Sequence, residues 1–173
     1  MKLIVDANIV FSGILNTKGK IGSLLIESQK RFHFIAPDFL RTEIRRHHNK
    51  LIKISRLTLD QIEEAEFRIC KQITFISEEQ IKIKHWIAAH ELVADIDPND
   101  THYVAYAKHF RCKIWSGDKV LMRGLEKKGF NNFISTNDLY SMVEDELNKL
   151  SIDYLTNRNC AVLLPDGVIN LST

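Results

Sequence analysis

Four carboxylates fall where a predicted strand or turn gives way to a helix. They are Asp6, Glu43, Asp100 and Asp118. Carboxylates that meet in one place raise each other's pKa, and a hard divalent cation such as Mg²⁺ or Mn²⁺, which prefers oxygen ligands, relieves the repulsion. An ion held in this way can activate water and neutralise charge on a phosphoryl group. If the fold brings the four acids together, they form a candidate site for metal-assisted phosphoryl chemistry.

Asp6 is the acid that is hardest to explain by structure alone. It follows the apolar run Leu3-Ile4-Val5, which predicts a short strand buried on both faces. An acid directly after such a strand costs free energy unless it is paired or liganded. Ligands of open parallel sheets gather outside the carboxyl ends of the strands, so we expect Asp6 to mark the edge that carries the site.

Each of the other acids has a structural alternative. Asp118 could serve only as the cap of its helix. Asp97 is better explained as the N-cap before Pro98 than as a ligand, and Asp100, in the third position of the same helix, also suits the helix dipole. Glu43 lies among arginines, where a solvated ion pair is the usual explanation. The residues alone leave these alternatives open.

The elements that must position these acids alternate between short strands and helices. Strands are predicted at residues 3–5, 32–35, 73–76, 112–115 and 133–134. Helices are predicted at residues 9–15, 21–29, 37–52, 58–70, 77–92, 98–107, 118–125 and 135–150. This alternation predicts an α/β fold of three layers, with a parallel sheet of about five strands between two layers of helices. Neighbouring strands lie only about 5 Å apart, so acids from distant parts of the chain can share one pocket.

The composition is typical of a single globular domain. The chain has 173 residues, of which 45% are hydrophobic and 27% charged, and this balance argues against disorder. Cys70, Cys112 and Cys160 are widely spaced and fit neither a disulfide framework nor a zinc site, which favours a reducing cytoplasm. No apolar run approaches about 18 residues, so neither a spanning helix nor a membrane partner is expected.

Taken together, the acidic motifs resemble those of the PIN-domain nuclease family. The motifs are Val5-Asp6-Ala7-Asn8, Leu40-Arg41-Thr42-Glu43-Ile44, Asp97-Pro98-Asn99-Asp100 and Ser116-Gly117-Asp118-Lys119. The resemblance covers residues 1–150 and implies a PIN-like α/β/α sandwich with metal-dependent ribonuclease activity that uses Mg²⁺ or Mn²⁺. The catalytic acids that it implies are Asp6, Glu43, Asp100 and Asp118. Of these, Asp6, Asp100 and Asp118 would hold the ion, with Asn8 and Ser116 as the amide and hydroxyl beside them.

Two positions depart from the family pattern. Relatives often have Thr or Ser where this chain has Ala7, and many have a further acid where it has Val120. The first change removes a hydroxyl, and the second leaves the number of bound ions open. Both motivate an alternative, a PIN-like RNA-binding module with weak or no catalysis. A receiver-type protein using Asp6 and Lys119 is a weaker alternative, because the paired acids usual beside a phosphoacceptor are missing.

A basic stretch suits RNA as the partner of such an enzyme. Residues 30–56 contain eight Lys or Arg and only two acids. Contacts with RNA phosphates are predicted for Arg41, Arg45, Arg46, Lys50 and Lys119. Stacking on unpaired bases is predicted for His47, His48, Tyr103 and Trp115. The alternative is that these cations form a solvated helix face and nothing more.

The motifs are most similar to the branch of the family that includes toxin components of toxin–antitoxin pairs. That resemblance implies a small antitoxin protein as a partner and a homodimer as the assembly. The chain is predicted to divide into a nuclease domain at residues 1–150 and a C-terminal extension at residues 151–173. The extension is expected to be extended or a hairpin around Pro165-Asp166-Gly167, packing on the domain or on a partner.

Overall fold

The computed structural model describes residues 1–160, with side chains for residues 1–146 and 148–152. The strands are β1 (Lys2–Val5), β2 (His33–Pro37), β3 (Ile73–Ile76), β4 (Lys113–Trp115) and β5 (Phe133–Ile134). The helices are α1 (Ala7–Leu15), α2 (Lys20–Glu27), α3 (Phe39–Arg46), α4 (His48–Ser55), α5 (Leu59–Cys70), α6 (Ile83–Val93), α7 (Thr101–Phe110), α8 (Lys119–Glu126) and α9 (Thr136–Cys160). Two short 3₁₀ turns, Glu78–Gln80 and Pro98–Asp100, precede α6 and α7.

The five strands form one sheet in the order β3-β2-β1-β4-β5, and every pairing is parallel. The strand order reverses direction at β1, with β2 on one side and β4 on the other. In open α/β sheets a crevice for ligands forms at such a reversal, outside the carboxyl ends of the strands. The topology therefore places the end of β1, where Asp6 follows, at the preferred position for a site.

Both faces of the sheet are covered, which explains why β1 is apolar at every inner position. Leu3 and Val5 belong to a core cluster on the face covered by α1, α2, α5 and α9. Ile4 lies on the other face and packs with residues of α6, α7 and α8. All three side chains are fully buried. The prediction of a three-layer α/β/α sandwich around a parallel five-stranded sheet is confirmed.

The helix predicted over residues 37–52 is wrong in two respects. Pro37 is the last residue of β2, paired with Ile76, and not the first turn of a helix. The helix that follows is also divided at His47 (φ −94°, ψ 0°), which ends α3 and begins α4. Buried Leu40, Ile44 and Leu51 keep helical spacing across this break, so the apolar pattern could not reveal it.

Helix starts were predicted with mixed success. Thr58, the first residue of a predicted helix, caps α5, and Gln61 completes a capping box. The helix predicted to begin at Ser77 begins later, and the Ser77 side chain makes no cap hydrogen bond. Only a 3₁₀ turn follows Ser77, and the extended, buried Ile81 separates it from α6.

Helix α9 continues ten residues past the expected domain boundary and ends at Cys160. The first part of the predicted extension is therefore helical. Residues 161–173, which include the predicted hairpin, lie outside the described residues. Among the described helices, no single one is long and apolar enough to cross a membrane. Helices α1 and α2, which are bent by 102° at their junction, pass the same test of length and composition when they are counted together.

Candidate active site

Strand register brings Asp6 and Ser116 side by side at the end of the sheet. Val5 and Trp115 are paired as the last residues of β1 and β4, so the residue after each leaves the sheet at the same level. The Ser116 hydroxyl donates a hydrogen bond to Asp6 Oδ2, and the Asn8 backbone N–H donates to Oδ1 at 3.1 Å. Asp6 thereby caps α1, and burial raises the pKa of its carboxyl although both hydrogen bonds oppose the rise.

Ser116 also connects Asp6 to Asp118. Its oxygen accepts a hydrogen bond from the Asp118 backbone N–H at 3.0 Å. Asp118 Oδ1 in turn accepts from the N–H groups of Val120 at 2.8 Å and Leu121 at 3.0 Å, so Asp118 caps α8 as its structural alternative predicts. Both bonds fall on one oxygen, which leaves Oδ2 without a protein donor among the described residues. Capping and a site role are therefore compatible.

Asp100 lies at the centre of the acidic residues. It ends the 3₁₀ turn that leads into α7, and its side chain makes no cap hydrogen bond. Burial, followed by the negative charges of Asp6, Asp97, Asp118 and Glu43, raises the pKa of Asp100 to about 7. The other three predicted acids thus come within electrostatic reach of Asp100, although they are far apart in the sequence.

Glu43 reaches the same region from α3. Together with Asp97 and Asp100 it lines a cleft of about 670 Å³. Buried Leu40 and Ile44 fix α3 on the core and leave Glu43 half-buried at the cleft wall. The cleft also has an apolar side, formed by Phe11, Leu15, Phe39, Leu51 and Ile54. It therefore combines a concentration of negative charge with an apolar wall.

None of these acids has a basic partner. The ion pairs within the described part of the chain join other residues, and none includes Asp6, Glu43, Asp97, Asp100 or Asp118. Oxygen donors with uncompensated negative charge fit a hard divalent cation. Among the described side chains, however, no three from His, Cys, Asp or Glu are placed to hold a metal ion as they stand. Binding an ion would require side chains to rotate inward.

The five predicted phosphate-binding cations do not lie on one common surface. Lys50 lines the cleft. Arg41 and Arg45 instead line a second concave surface of about 630 Å³, which also includes His48, Glu63, Glu66 and Phe67 of α4 and α5. Arg41 pairs with Asp38 at 3.4 Å and stacks on the Phe75 ring at 3.7 Å. Arg46 and Lys119 are exposed and line neither surface.

Two of the predicted stacking residues are not available to a base. Trp115 is fully buried, and its indole N–H donates to Thr136 Oγ1 at 3.0 Å. Tyr103 is only 4% exposed. His48 pairs with Glu66 at 2.6 Å, and His47 lines the cleft beside Phe11, with ring centroids 5.4 Å apart. The stacking prediction is wrong for the two buried aromatics, since core packing uses their faces.

Three residues that line the cleft were not predicted to belong to the acidic site. Asp97 is the N-cap that it was predicted to be, accepting from the Asn99 N–H at 2.9 Å, but it also adds charge beside Asp100. His102 and Tyr103 line the cleft from α7. Burial, then the charges of Asp6 and Glu43, raise the pKa of the Tyr103 hydroxyl. A polar residue within an otherwise apolar helix face was the available signal for Tyr103.

Comparison with known proteins bears on the fold and the family of this chain. No curated protein matches the chain significantly. A chain in the crystal structure of VapBC2 from Rickettsia felis, bound to a DNA fragment from their promoter, has a similar fold, with a TM-score of 0.58 and 12% sequence identity. The match covers 78% of this chain and 97% of that one. The family model described as "PIN domain" matches residues 4–150. This protein therefore belongs to the PIN-domain family.

Proposed function

We propose that this protein is a divalent-metal-dependent endoribonuclease. The observation that carries the proposal is the position of Asp100, which has four other carboxylates near it and no basic partner in the described part of the chain. PIN domains are generally nucleases, so family membership supports hydrolysis of phosphodiester bonds. The uncompensated charge supports a requirement for Mg²⁺ or Mn²⁺.

The residues have distinct roles in this proposal. Asp6, Asp100 and Asp118 would hold the ion, which supplies activation of water and neutralisation of phosphoryl charge when bound. Glu43 would hold a second ion or orient the attacking water from the opposite wall. Ser116 fixes the orientation of Asp6, and Asn8 fixes it from the other side through its backbone N–H. The expected products carry a 5′-phosphate and a 3′-hydroxyl.

The cleft also suggests how RNA would be held. Lys50 is the lysine on the cleft wall, so it is the cation best placed to contact a phosphate beside the acids. The apolar side of the cleft and His47 would accommodate an unpaired base. Arg46 and Lys119, both exposed, would add contacts outside the cleft.

The biological role that we propose is that of a toxin held inactive by a small antitoxin protein in the cytoplasm. The similar fold found in the VapBC2 structure supports this role. Co-expression tests it directly: the protein alone should arrest growth of a bacterial host, and the product of a short neighbouring reading frame should restore growth. Size-exclusion chromatography with light scattering would test the proposed homodimer.

Cleavage of single-stranded RNA in the presence of Mn²⁺ tests the enzymatic proposal. Wild-type protein should cleave, chelation with EDTA should stop cleavage, and Asp6→Asn should be inactive. Equal activity of wild-type protein and Asp6→Asn would show that a contaminant or another site is responsible.

The alternative function, RNA binding without catalysis, is favoured by two observations. No three acidic or other metal-ligating groups among the side chains that the structure describes stand ready to hold an ion, and Val120, which replaces a frequent family acid, is 74% exposed. Calorimetric titration with Mn²⁺ separates the two functions. A binding module would take up RNA with no saturable uptake of the ion.

A further inference from the structure

The hydroxyl of Tyr103 is a buried donor without an acceptor. The residue is 4% exposed, and its hydroxyl donates to no acceptor among the described residues, although the backbone N–H of Ala7 lies close to its oxygen. Buried hydroxyls in folded proteins are nearly always hydrogen-bonded, because an unmade bond leaves the cost of desolvation uncompensated. Tyr103 is also one of the residues that line the acidic cleft. The missing acceptor is therefore to be sought there.

A second tyrosine on the same helix shows the usual solution. Tyr106, one turn further along α7, is fully buried and donates its hydroxyl hydrogen bond to the Ile76 carbonyl at 2.7 Å. The two residues share their helix and their near-complete burial. They differ in what their hydroxyls face, a backbone carbonyl for Tyr106 and the carboxylates of the cleft for Tyr103.

A side chain of the protein is the acceptor that needs the least movement, because the phenol oxygen is buried. The carboxylates that act electrostatically on the phenol are those of Asp6, Glu43 and Asp100. Asp6 is held by the hydrogen bonds that it accepts from Asn8 and Ser116, and it accepts none from Tyr103.

Packing favours Glu43 over Asp100 as that acceptor. The ring of Phe39 lies 6.2 Å from the ring of Tyr103. Glu43 is four residues after Phe39 on α3, so the two side chains lie on one face of the helix. The Glu43 carboxylate accepts no hydrogen bond from any described residue, and its longer side chain can turn inward without movement of the helix.

We infer that Tyr103 is a positioning residue for Glu43: its hydroxyl donates a hydrogen bond to the Glu43 carboxylate when that side chain turns inward, and so holds the charge at the ion site. The inference rests on the proposed metal-dependent function. It adds a residue that touches neither the ion nor RNA and acts only through Glu43.

A double-mutant cycle with Mn²⁺ affinity as the readout tests the inference. Calorimetric titration is performed on wild-type protein, Tyr103→Phe, Glu43→Gln and the double variant. We expect Tyr103→Phe to weaken Mn²⁺ binding about tenfold, in the range for residues that orient metal ligands. The double variant should bind Mn²⁺ no more weakly than Glu43→Gln alone, because Tyr103 has no effect without its partner.

Tyr106→Phe is the matched control. It should melt at a lower temperature than wild-type protein, since it loses an existing hydrogen bond, but bind Mn²⁺ with unchanged affinity. Tyr103→Phe in EDTA should melt at the same temperature as wild-type protein or higher, because it removes an unsatisfied donor. A lower melting temperature for Tyr103→Phe would overturn the inference by showing that its hydroxyl already has a partner.

Three other results would count against the coupling of Tyr103 to Glu43. Independent, additive effects of Tyr103→Phe and Glu43→Gln on Mn²⁺ affinity would overturn the inference and leave the proposed function intact. If the effect of Tyr103→Phe on Mn²⁺ affinity disappeared in an Asp100→Asn background but persisted in a Glu43→Gln background, Asp100 would be the acceptor. That result would also overturn the inference. If wild-type protein bound no Mn²⁺, the proposed function would fall, and the inference with it.

Discussion

Residues of α3 line two concave surfaces that differ in how their charged side chains are paired. On the surface shared with α5, acids and bases are mixed: His48 pairs with Glu66, and Arg41 pairs with Asp38. In the cleft the carboxylates of Glu43 and Asp100 have no basic partner among the described residues. We call the first surface the paired surface.

An aspartate with a basic partner and an aspartate without one differ in the direction of their pKa shift. A hydrogen bond from Lys128 lowers the pKa of the exposed Asp95, whereas burial and neighbouring acids raise the pKa of Asp100 to about 7. Folding therefore keeps negative charge in the cleft at a cost, and a bound cation would remove that cost. The predictions that follow test whether the cleft, and not the paired surface, carries the function.

The largest expected effect is that of Asp6→Asn. The substitution removes the charge of a buried carboxylate that we place on the ion, so RNA cleavage should fall by about 100-fold or more. Stability in EDTA should not fall, because the raised pKa of Asp6 shows that burial penalises its charge. Initial cleavage rates and thermal melts provide the measurements. The control is Glu66→Gln on the paired surface, which should retain full activity; a comparable loss there would remove the distinction between the two surfaces.

Ser116→Ala should have a smaller but clear effect. It deletes the hydroxyl that donates to Asp6 and accepts from the Asp118 N–H. Loss of a group that orients a metal ligand typically reduces metal affinity or activity by about 10–100-fold. Loss of a buried hydrogen bond to a carboxylate should also cost about 1.5–3 kcal/mol of stability. Ser28→Ala, which removes a buried hydroxyl that donates to the Leu24 carbonyl and does not line the cleft, is the comparison; equal losses of activity would argue against a specific role for Ser116.

Asp100 makes the ion-free protein sensitive to pH in a defined direction. Its pKa in the folded state, about 7, lies above the ordinary value of 3.8. Between these values the folded protein holds a proton that the unfolded chain has released, so this group lowers stability as pH rises. Melts in EDTA should show Asp100→Asn gaining on wild-type protein between about pH 4 and pH 7. A constant difference across this range would contradict the assigned pKa.

The same proton makes ion binding depend on pH. Mn²⁺ must displace it, so affinity should rise by about tenfold per pH unit below pH 7 and level off above it. Calorimetry in buffers of different ionisation enthalpy would count the released protons. Affinity independent of pH below 7 would show that Asp100 is not in the ion site.

Lys50→Ala should have the smallest effect and should separate the two surfaces by salt dependence. Loss of one phosphate contact in the cleft should weaken RNA binding and reduce the slope of log affinity against log salt by about 1. Arg41→Ala should change the slope less, because Arg41 is already paired with Asp38 and stacked on Phe75. Fluorescence anisotropy with the inactive Asp6→Asn protein measures both; a larger change for Arg41 would place RNA on the paired surface.

Sequence predicted best what depends on local pattern. An apolar run followed by Asp6 could only be a buried strand end with an acid at its rim, and the register of β1 with β4 confirms that geometry. Strand alternation with helices was likewise sufficient for the fold class. Thr58 and Asp97 have the caps expected from their spacing.

Predictions from the sequence failed where the local pattern allows more than one structure and tertiary packing selects one of them. The break at His47 leaves the apolar spacing of α3 and α4 undisturbed, so no pattern marks it. Arg41 and Lys50 are both basic, but nine residues of helix put them on opposite sides, and which side faces the cleft depends on how α3 and α4 pack. The unpaired hydroxyl of Tyr103 is visible only once its surroundings are known.

The most direct test of convergence of the acids on an ion is a crystal structure of wild-type protein with Mn²⁺, using anomalous scattering to locate the metal. We predict an anomalous peak in the cleft with oxygen ligands from Asp6, Asp100 and Asp118, with the Glu43 side chain turned inward. A cleft without Mn²⁺ at saturating concentration, or a peak on the surface between α3 and α5, would contradict this account.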